Sequence, residues 1–534
     1  MGLPFQYNQR FLVPVWRRFS DALKLRELES TSNKSHSLPD ITDIVSEWKD
    51  NKNAITASEI VNAALTTRNF NFSELDEAKT LLDNSLFGKQ QTLVLKLLTR
   101  ATEIDNKSET SHGQNLNENF DLLLEDIQVD NIKDVWKRIN SGTIHQSVHH
   151  LKKASLSQLS NPIIWIDLSR LYLIQGQNSK AIRAMKIALS LAPDNKFVLR
   201  ASTSLFVNVN DGEQAIYHLR KSARTKSDPW LVSAHIAASR MINRYSPLIK
   251  QGLLLITDKN IAPHSLTELA SSIGTEEYGS GGIKKARDFF NIALKRPNDN
   301  TLAQIEWISQ RDNQFQFNPL RYNHLVHPFE ANALDALEKG LWEEAMINGV
   351  KWFFETPYNK QSVYFCIFLL DLIFDMYDEA IEFCKAGLRI HPEDPGLINN
   401  MVYLKIMANN TNTKGLDKYL TAFSKKDIKS LSNEQRVNYS ATIGLVNFRL
   451  GYTERGVALY QHAIKLAEDL KQPEIANIAF INLTREIFLA DMADKNNYLT
   501  KLEDISRTTD SLIIKAAIER TLKKLKAQSP LNLG

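Results

Sequence analysis

Cysteine is almost absent: Cys366 and Cys384 are the only two in 534 residues. Two thiols exclude a disulfide framework and a four-cysteine zinc site, and they fit a reducing, cytoplasmic compartment. Glycine and proline are sparse, at 20 and 16, and no sustained strand-type alternation is present. Long apolar runs are missing too. The longest, Val363 to Leu370, has eight residues, against ~18 for a membrane-spanning helix. The opening MGLPFQYNQRFLVPVWRRF lacks an uninterrupted signal-peptide core because Pro14 divides it. Gln6 stands where a myristoylation pattern starting at Gly2 needs Ser or Thr. A net charge of +4 is too small by itself to imply a nucleic-acid binder.

What remains is ordinary globular material, 43% hydrophobic and 24% charged. Apolar residues recur at spacings of three and four, which predicts helix almost throughout. Short helices are expected over 40–48 and 56–65, and another over 74–86 with Ser73 as N-cap. The stretch IDNKSETSHGQNLNEN, residues 104–119, reads as a polar linker, with helix resuming near Phe120. Charge comes in blocks. Residues 101–150 hold 4 basic against 9 acidic side chains, 151–250 hold 15 against 5, 301–400 hold 7 against 15, and 401–450 hold 8 against 3. Such blocks can steer a partner or attract one another. Asparagine is abundant at 43 residues, which points to AT-rich coding and a bacterial source.

The strongest pattern is a 34-residue period. In NPIIWIDLSRLYLIQGQNSKAIRAMKIALSLAPDN, Trp165, Leu168 and Tyr172 line one face of a first helix, and Gly176 marks its end. Ala181, Met185 and Ala188 line a second helix, which Pro193 stops. Small Ala181 lets two helices cross closely, and Ala215 follows one period later. Further copies show Ala286, Phe290, Ala293 and Pro297; Gly340, Ala345 and Pro357; Tyr377, Ala380, Gly387 and Pro392; and Gly451, Gly456, Tyr460 and Ala463. Degenerate copies are expected at 230–257 and 394–425. Over residues 161–470 the chain resembles the tetratricopeptide repeat family. That resemblance implies an all-α, right-handed helical-repeat solenoid with a concave binding surface. It would be preceded by an N-terminal helical region (1–103), the linker and a helical lead-in (120–160), and followed by capping helices (471–534). The step from Ala286 to Ala345 is 59 residues, and the irregular 311–328 between them reads as a loop over the array, a hinge or a binding loop.

Candidate chemistry is thin. His145-Gln-Ser-Val-His149 imitates a zincin motif, but Gln146 replaces the general base. Tyr278-Gly-Ser-Gly-Gly-Ile-Lys284-Lys285 resembles a phosphate loop, yet the segment before it reads as helix, so it is an inter-helix turn. His324 and His327 make no metal site alone. Cys366 and Cys384 sit in apolar runs and read as buried, inert thiols. No catalytic site, metal or cofactor is expected. The basic block carries more. Lys180, Arg183 and Lys186, then Arg220, Lys221 and Arg224, fall on outward faces of second helices. The resemblance implies that Arg170 and Arg200, on first helices, point into the groove. Family members that clamp a chaperone's C-terminal carboxylate use a Lys/Asn/Arg set. Ile166, Arg170, Arg200 and Ser204 stand at the equivalent positions here, so that clamp is not reproduced.

The leading functional reading is a non-enzymatic scaffold or adaptor that binds a protein partner, with no membrane role. Two others stand beside it: a regulatory or sensor subunit of a bacterial multi-protein system such as antiphage defence, and a nucleic-acid-binding repeat protein that uses residues 151–250. The aromatic stretch 350–374 reads as core between stacked helices. The segment LPFQYNQRFLVPVW is apolar enough to fill the groove or to dock on a partner.

Overall fold

The computed structural model describes residues 9–18, 41–50, 52–53, 56–57, 59–61, 64, 73–84, 127–140, 143–157, 159–261, 263–315, 325, 327–408, 421 and 431–528. The expected linker 104–119 and the second half of the 394–425 copy lie outside these residues. Among the described residues every regular element is a helix, so the all-α reading holds. They divide into two units. The first joins Gln9–Ile127 to Lys133–Leu334, and the second joins Gln128–Ile132 to Asp335–Gly534.

In the first unit, α1 (Ile41–Asp50), α2 (Ser73–Asn84), α3 (Ile132–Asn140) and α4 (Thr143–Ser157) precede the repeat. Then come α5 (Pro162–Ile174), α6 (Asn178–Leu191), α7 (Lys196–Asn208), α8 (Gly212–Lys221), α9 (Pro229–Met241), α10 (Ile249–Thr257), α11 (Pro263–Gly279), α12 (Ile283–Ala293) and α13 (Asp299–Ser309). The odd-numbered helices from α5 are first helices and the even ones second helices. The two kinds bury themselves differently. Along α5 every residue from Pro162 to Ile174 except Trp165 is buried, whereas α6 buries only the stripe Ala181, Ala184, Met185, Ala188 and Leu189. A helix apolar on all sides belongs inside and one apolar on a single stripe belongs outside. First helices therefore form an inner layer and second helices an outer one.

The period is carried by polar residues as much as by the apolar ones. Asn161 and Asn195 cap α5 and α7 by accepting backbone N–H groups of Ile163 and Phe197, at 3.1 and 2.9 Å. Asp228 and Asn298 do the same for α9 and α13. The turn between the helices of a pair needs one left-handed residue. Gly176, Asn210, Asn243 and Gly281 supply it, with φ of 72°, 60°, 56° and 82°. Asparagine tolerates that region better than other residues with a Cβ. These five asparagines are thus structural, at caps and turns.

Among the described residues no helix other than a short 3-10 turn lies between α13 and α14 (Phe329–Glu338). That turn is Asn313–Phe315. Phe315 is buried edge-on against Tyr278 and Phe290, at 5.4 and 5.5 Å. Leu325 packs with Leu302, Ala303 and Ala331. The irregular segment covers the array at these two points. His327 stacks on Phe329 at 4.9 Å, while His324 lies outside the described residues.

The boundary between the units falls within α14. The second unit continues with α15 (Trp342–Glu355), α16 (Lys360–Leu372), α17 (Tyr377–Ile390), α18 (Pro395–Ala408), α19 (Asn433–Arg449), α20 (Thr453–Asp469), α21 (Pro473–Leu489), α22 (Lys495–Thr508) and α23 (Leu512–Gln528). Its 350–374 stretch is core: Trp352, Phe353, Phe365, Ile367 and Leu370 are buried. Cys366 and Cys384 are buried free thiols, and burial pushes the Cys384 thiol up to about 12. Glycine allows the closest crossings. A Cβ at Gly349 would stand 2.6 Å from the Phe365 ring, and one at Gly456 2.6 Å from Phe448. The last helix also reaches back. Arg520 donates to the Asp371 carbonyl at 3.0 Å, and Arg520 and Lys524 both pair with Asp375.

One buried group makes the first unit acid-sensitive. His235 on α9 is 1% exposed, and its Nδ1 shares hydrogen bonds with the hydroxyls of Ser246 and Ser239 at 2.9 and 3.3 Å. Burial, then the nearby Arg220 charge, hold the imidazole down to about 4. The unfolded chain binds this proton near pH 6.5 and the folded chain only near 4, so acid favours unfolding. Stability present above about pH 6.5 is lost as pH falls toward 4. Between pH 7 and 5 the loss is about 2 kcal/mol from this group. Urea unfolding at the two pH values should show it, and His235→Asn should flatten the pH dependence.

Candidate functional site

The residues singled out from sequence occupy two surfaces of the first unit. Lys180, Arg183 and Lys186 on α6 and Arg220 and Lys221 on α8 are exposed on the outer layer. None of the five pairs with a carboxylate of a described residue. Lys180 lies over the Tyr172 ring, 5.7 Å from its centroid. His218 lies close enough to Lys186 and Lys221 that burial, reinforced by those charges, lowers its pKa. Tyr217 is exposed beside it. Arg224 is half-buried and pairs with Asp228 one helical turn on, at 3.2 Å. These cations form a ridge because the other face of each second helix is spent on core, with Ala181, Ala188 and Ala215 fully buried.

Arg170 and Arg200 are engaged inside the chain. Arg200 donates to both oxygens of Glu268, at 2.6 and 3.0 Å, and stacks over Trp230, 4.7 Å from its centroid. Arg170 is buried and donates through Nε to the Trp16 carbonyl at 3.2 Å. That carbonyl belongs to the most consequential feature of the first unit. Residues 9–18 carry no helix or strand and lie extended against the inner layer. Arg10, Leu12, Pro14 and Trp16 are buried, while Phe11, Val13, Val15 and Arg17 are half-buried. Alternate side chains of an extended chain point to opposite sides, so one edge of the segment faces the helices throughout.

The contacts are specific. Arg10 donates from Nε and Nη2 to the two carboxylate oxygens of Glu330, both at 2.8 Å. It donates from Nη1 to the Asn300 carbonyl and to Gln304 Oε1, at 3.1 and 3.0 Å. Nη2 also donates to Asn300 Oδ1 at 2.9 Å. Five N–H groups thus meet five contacts, the full donor set of a guanidinium. Arg17 pairs with Asp299, and Asn300 Nδ2 donates to the Val13 carbonyl at 3.1 Å. Asn300 Nδ2 and Asn298 Nδ2 also reach Glu268 Oε1, at 3.2 and 2.9 Å. One polar network therefore runs from Trp230 and Arg200 through Glu268 and Asn300 to Arg10 and Glu330.

Sequence reasoning missed Glu268, Asp299, Asn300, Gln304 and Glu330. They are scattered over three helices and belong to no local motif. The segment itself was visible only as an apolar arm. Its alternation is hidden because both of its edges are largely apolar. The other candidates take modest places. His145 is exposed and bonds to Gln175 at 3.1 Å. Among the described residues no group of three or more His, Cys, Asp or Glu side chains is placed to hold a metal ion. The glycine-rich loop is the α11–α12 turn, where Gly282 N–H donates to the Glu277 carbonyl at 2.8 Å. No helix of the described residues is long and apolar enough to cross a membrane.

The tetratricopeptide repeat family model matches residues 163–195, which are α5 and α6. No curated protein sequence matches the chain. Among solved structures, yeast Tom70 aligns over 77% of this chain and 98% of its own, with 13% identity and a TM-score of 0.29. A monomeric mutant of IFIT1 with Gppp-AAAA aligns over 95% of each chain, with 12% identity and a TM-score of 0.26. Residues 163–195 are a tetratricopeptide repeat, and the described residues around them form further helices packed in adjacent pairs.

Proposed function

We propose that this chain is a non-enzymatic interaction scaffold that holds a protein partner on its helical-repeat surface, with the outer basic ridge as the docking face for an acidic segment. The observation that carries this reading is the division of cations between the two layers. Arg170, Arg200 and Arg10 are spent on internal contacts. Lys180, Arg183, Lys186, Arg220 and Lys221 stand exposed, with no acidic partner among the described residues. Keeping five like charges close together is unfavourable unless a counter-charge arrives.

The test is capture of partners from the native lysate by wild-type protein and by Lys186→Glu/Arg220→Glu/Lys221→Glu, at low and high salt. A stoichiometric protein partner is expected, with at least tenfold lower capture by the charge-reversed variant. Surface charge steers association and is salt-screened, so high salt should weaken capture by the wild type in the same direction. Capture of nucleic acid alone, removed by salt, would make the ridge a phosphate-binding surface and end the scaffold reading.

A further inference from the structure

We infer that the outer face of α10 is the docking surface for an amphipathic helix of a partner protein, with leucine-type side chains on one stripe and acidic ones on its flanks. This rests on the scaffold reading and names the partner's chemistry, on a face separate from the α6 cations.

The first observation is a helix apolar on opposite sides. Ile249, Leu255 and Ile256 pack against the core of Val232, Ile236, Leu269 and Ile273. A Cβ at Gly252 would stand 3.0 Å from Leu269 and from Ile273, so α10 lies close on that core. The side turned to solvent carries Lys250, Leu253, Leu254 and Thr257, spaced by three and four along one helical stripe. Leu254 is 65% exposed and Leu253 37%. The outer faces of α6 and α12 instead show solvent Lys180, Arg183 and Lys186, and Lys284, Lys285 and Arg287. A helix apolar on more than one side belongs inside, so α10 has a face suited to one more layer.

The second is the approach to that face. Met241 ends α9 and Tyr245 follows in the turn, 45% and 68% exposed. The turn is held in place. The Ser246 hydroxyl shares a hydrogen bond with His235 Nδ1 at 2.9 Å and accepts the Leu248 N–H at 3.2 Å. Arg244 pairs with Glu213 on α8 at 2.7 Å. Single exposed apolar residues are ordinary, but several on one element and its lead-in turn mark an interaction surface. A fixed frame also loses little freedom on docking.

The third is charge. Residues 241–260 hold Arg244, Lys250 and Lys259 against Asp258 alone, and Arg220 and Lys221 are exposed on α8. A second copy of this chain on the same face would set these cations against their own copies, whereas an acidic partner neutralises them. A helix keeps its backbone groups bonded internally, so α10 offers no free edge to an extended strand. It offers rows spaced by three and four, into which another helix interlocks.

The experiment displays helix-forming peptides of about 18 residues, long enough to hold a helix, with leucines fixed at spacings of three and four and the other positions randomised. They are selected on the full-length protein and counter-selected on Leu253→Glu/Leu254→Glu. Both leucines face solvent, so the variant should keep the wild-type circular dichroism and melting curve. Leu254→Ser serves the same purpose if the double variant does not fold. Selected peptides should carry Asp and Glu beside the leucine stripe. One of them, made fluorescent, should bind wild type at one to one and the variant at least tenfold more weakly. Replacing its acidic residues by lysine should weaken binding at least tenfold.

Peptides that bind wild type and variant alike, or a selected set that is neutral or basic, overturn the proposal. So does a wild-type dimer in sedimentation that the variant abolishes, which would make the face a contact between copies. Lys180→Glu/Arg183→Glu on α6 should leave the peptide's affinity within twofold. Partner capture that depends on the ridge cations, with no peptide selected on α10, would leave the scaffold reading standing and end this one.

Discussion

Glu268→Ala should destabilise the first unit by about 3–5 kcal/mol, the usual loss when one partner of a buried ion pair is removed. Glu268 is 1% exposed and accepts from Arg200 twice and from Asn298 and Asn300 once each. Alanine would leave a half-buried guanidinium without its counter-ion, take the Glu268 acceptor from the Asn298 amide, and leave the Asn300 amide with the Val13 carbonyl in place of two acceptors. The loss should exceed that for Glu213→Ala, whose pair with Arg244 is exposed and so contributes at most about 1 kcal/mol. Glu268→Gln keeps an acceptor oxygen but not the charge, and should fall between the two. Denaturant unfolding followed by Trp230 fluorescence reads the effect directly, because Arg200 stacks on that ring. A loss below about 1 kcal/mol would mean that water replaces Glu268 at low cost and that the network does not hold the inner layer together.

Phe365→Ala should cost about 3–5 kcal/mol in the second unit, through lost burial and the cavity left behind. The ring is fully buried and lies 5.9 Å from Trp352, centroid to centroid. Gly349→Ala alone should cost about 1–3 kcal/mol, because its methyl would stand 2.6 Å from the same ring. The two changes should not add. With the ring removed, the Gly349→Ala methyl enters vacated space, and its cost should vanish or become a small gain. A double-mutant cycle should therefore show a coupling of about 1–3 kcal/mol. Additive losses would show that α15 and α16 relax apart and that the glycine is not there for close approach.

Some of this was legible locally. The small residues at Ala181, Ala215, Ala286, Ala345 and Ala380 repeat because close helix crossings recur, and all five are fully buried. Gly176, Gly340 and Gly451 marked turns for the same local reason, a left-handed φ. Asn210, Asn243 and Asp375 do the same job with φ of 60°, 56° and 57°, but asparagine and aspartate serve too many purposes to be read as turn markers. The exposed cations of the ridge were also legible, since a one-sided helix pattern says which face is left for water.

The sequence by itself determined the helices, their pairing and the outer charge of the first unit, because those depend on periodicities of three to four and of about 34 residues. Only the tertiary structure decided what the inner layer does with its polar side chains. Arg200 and Arg170 could each have faced an open groove. Their partners stand 68 residues later and 154 residues earlier, at separations no local pattern encodes. The Arg10 pocket is assembled by folding from side chains about 300 residues away. A single buried guanidinium requires every donor to be met, and that requirement appears only once distant helices are brought side by side.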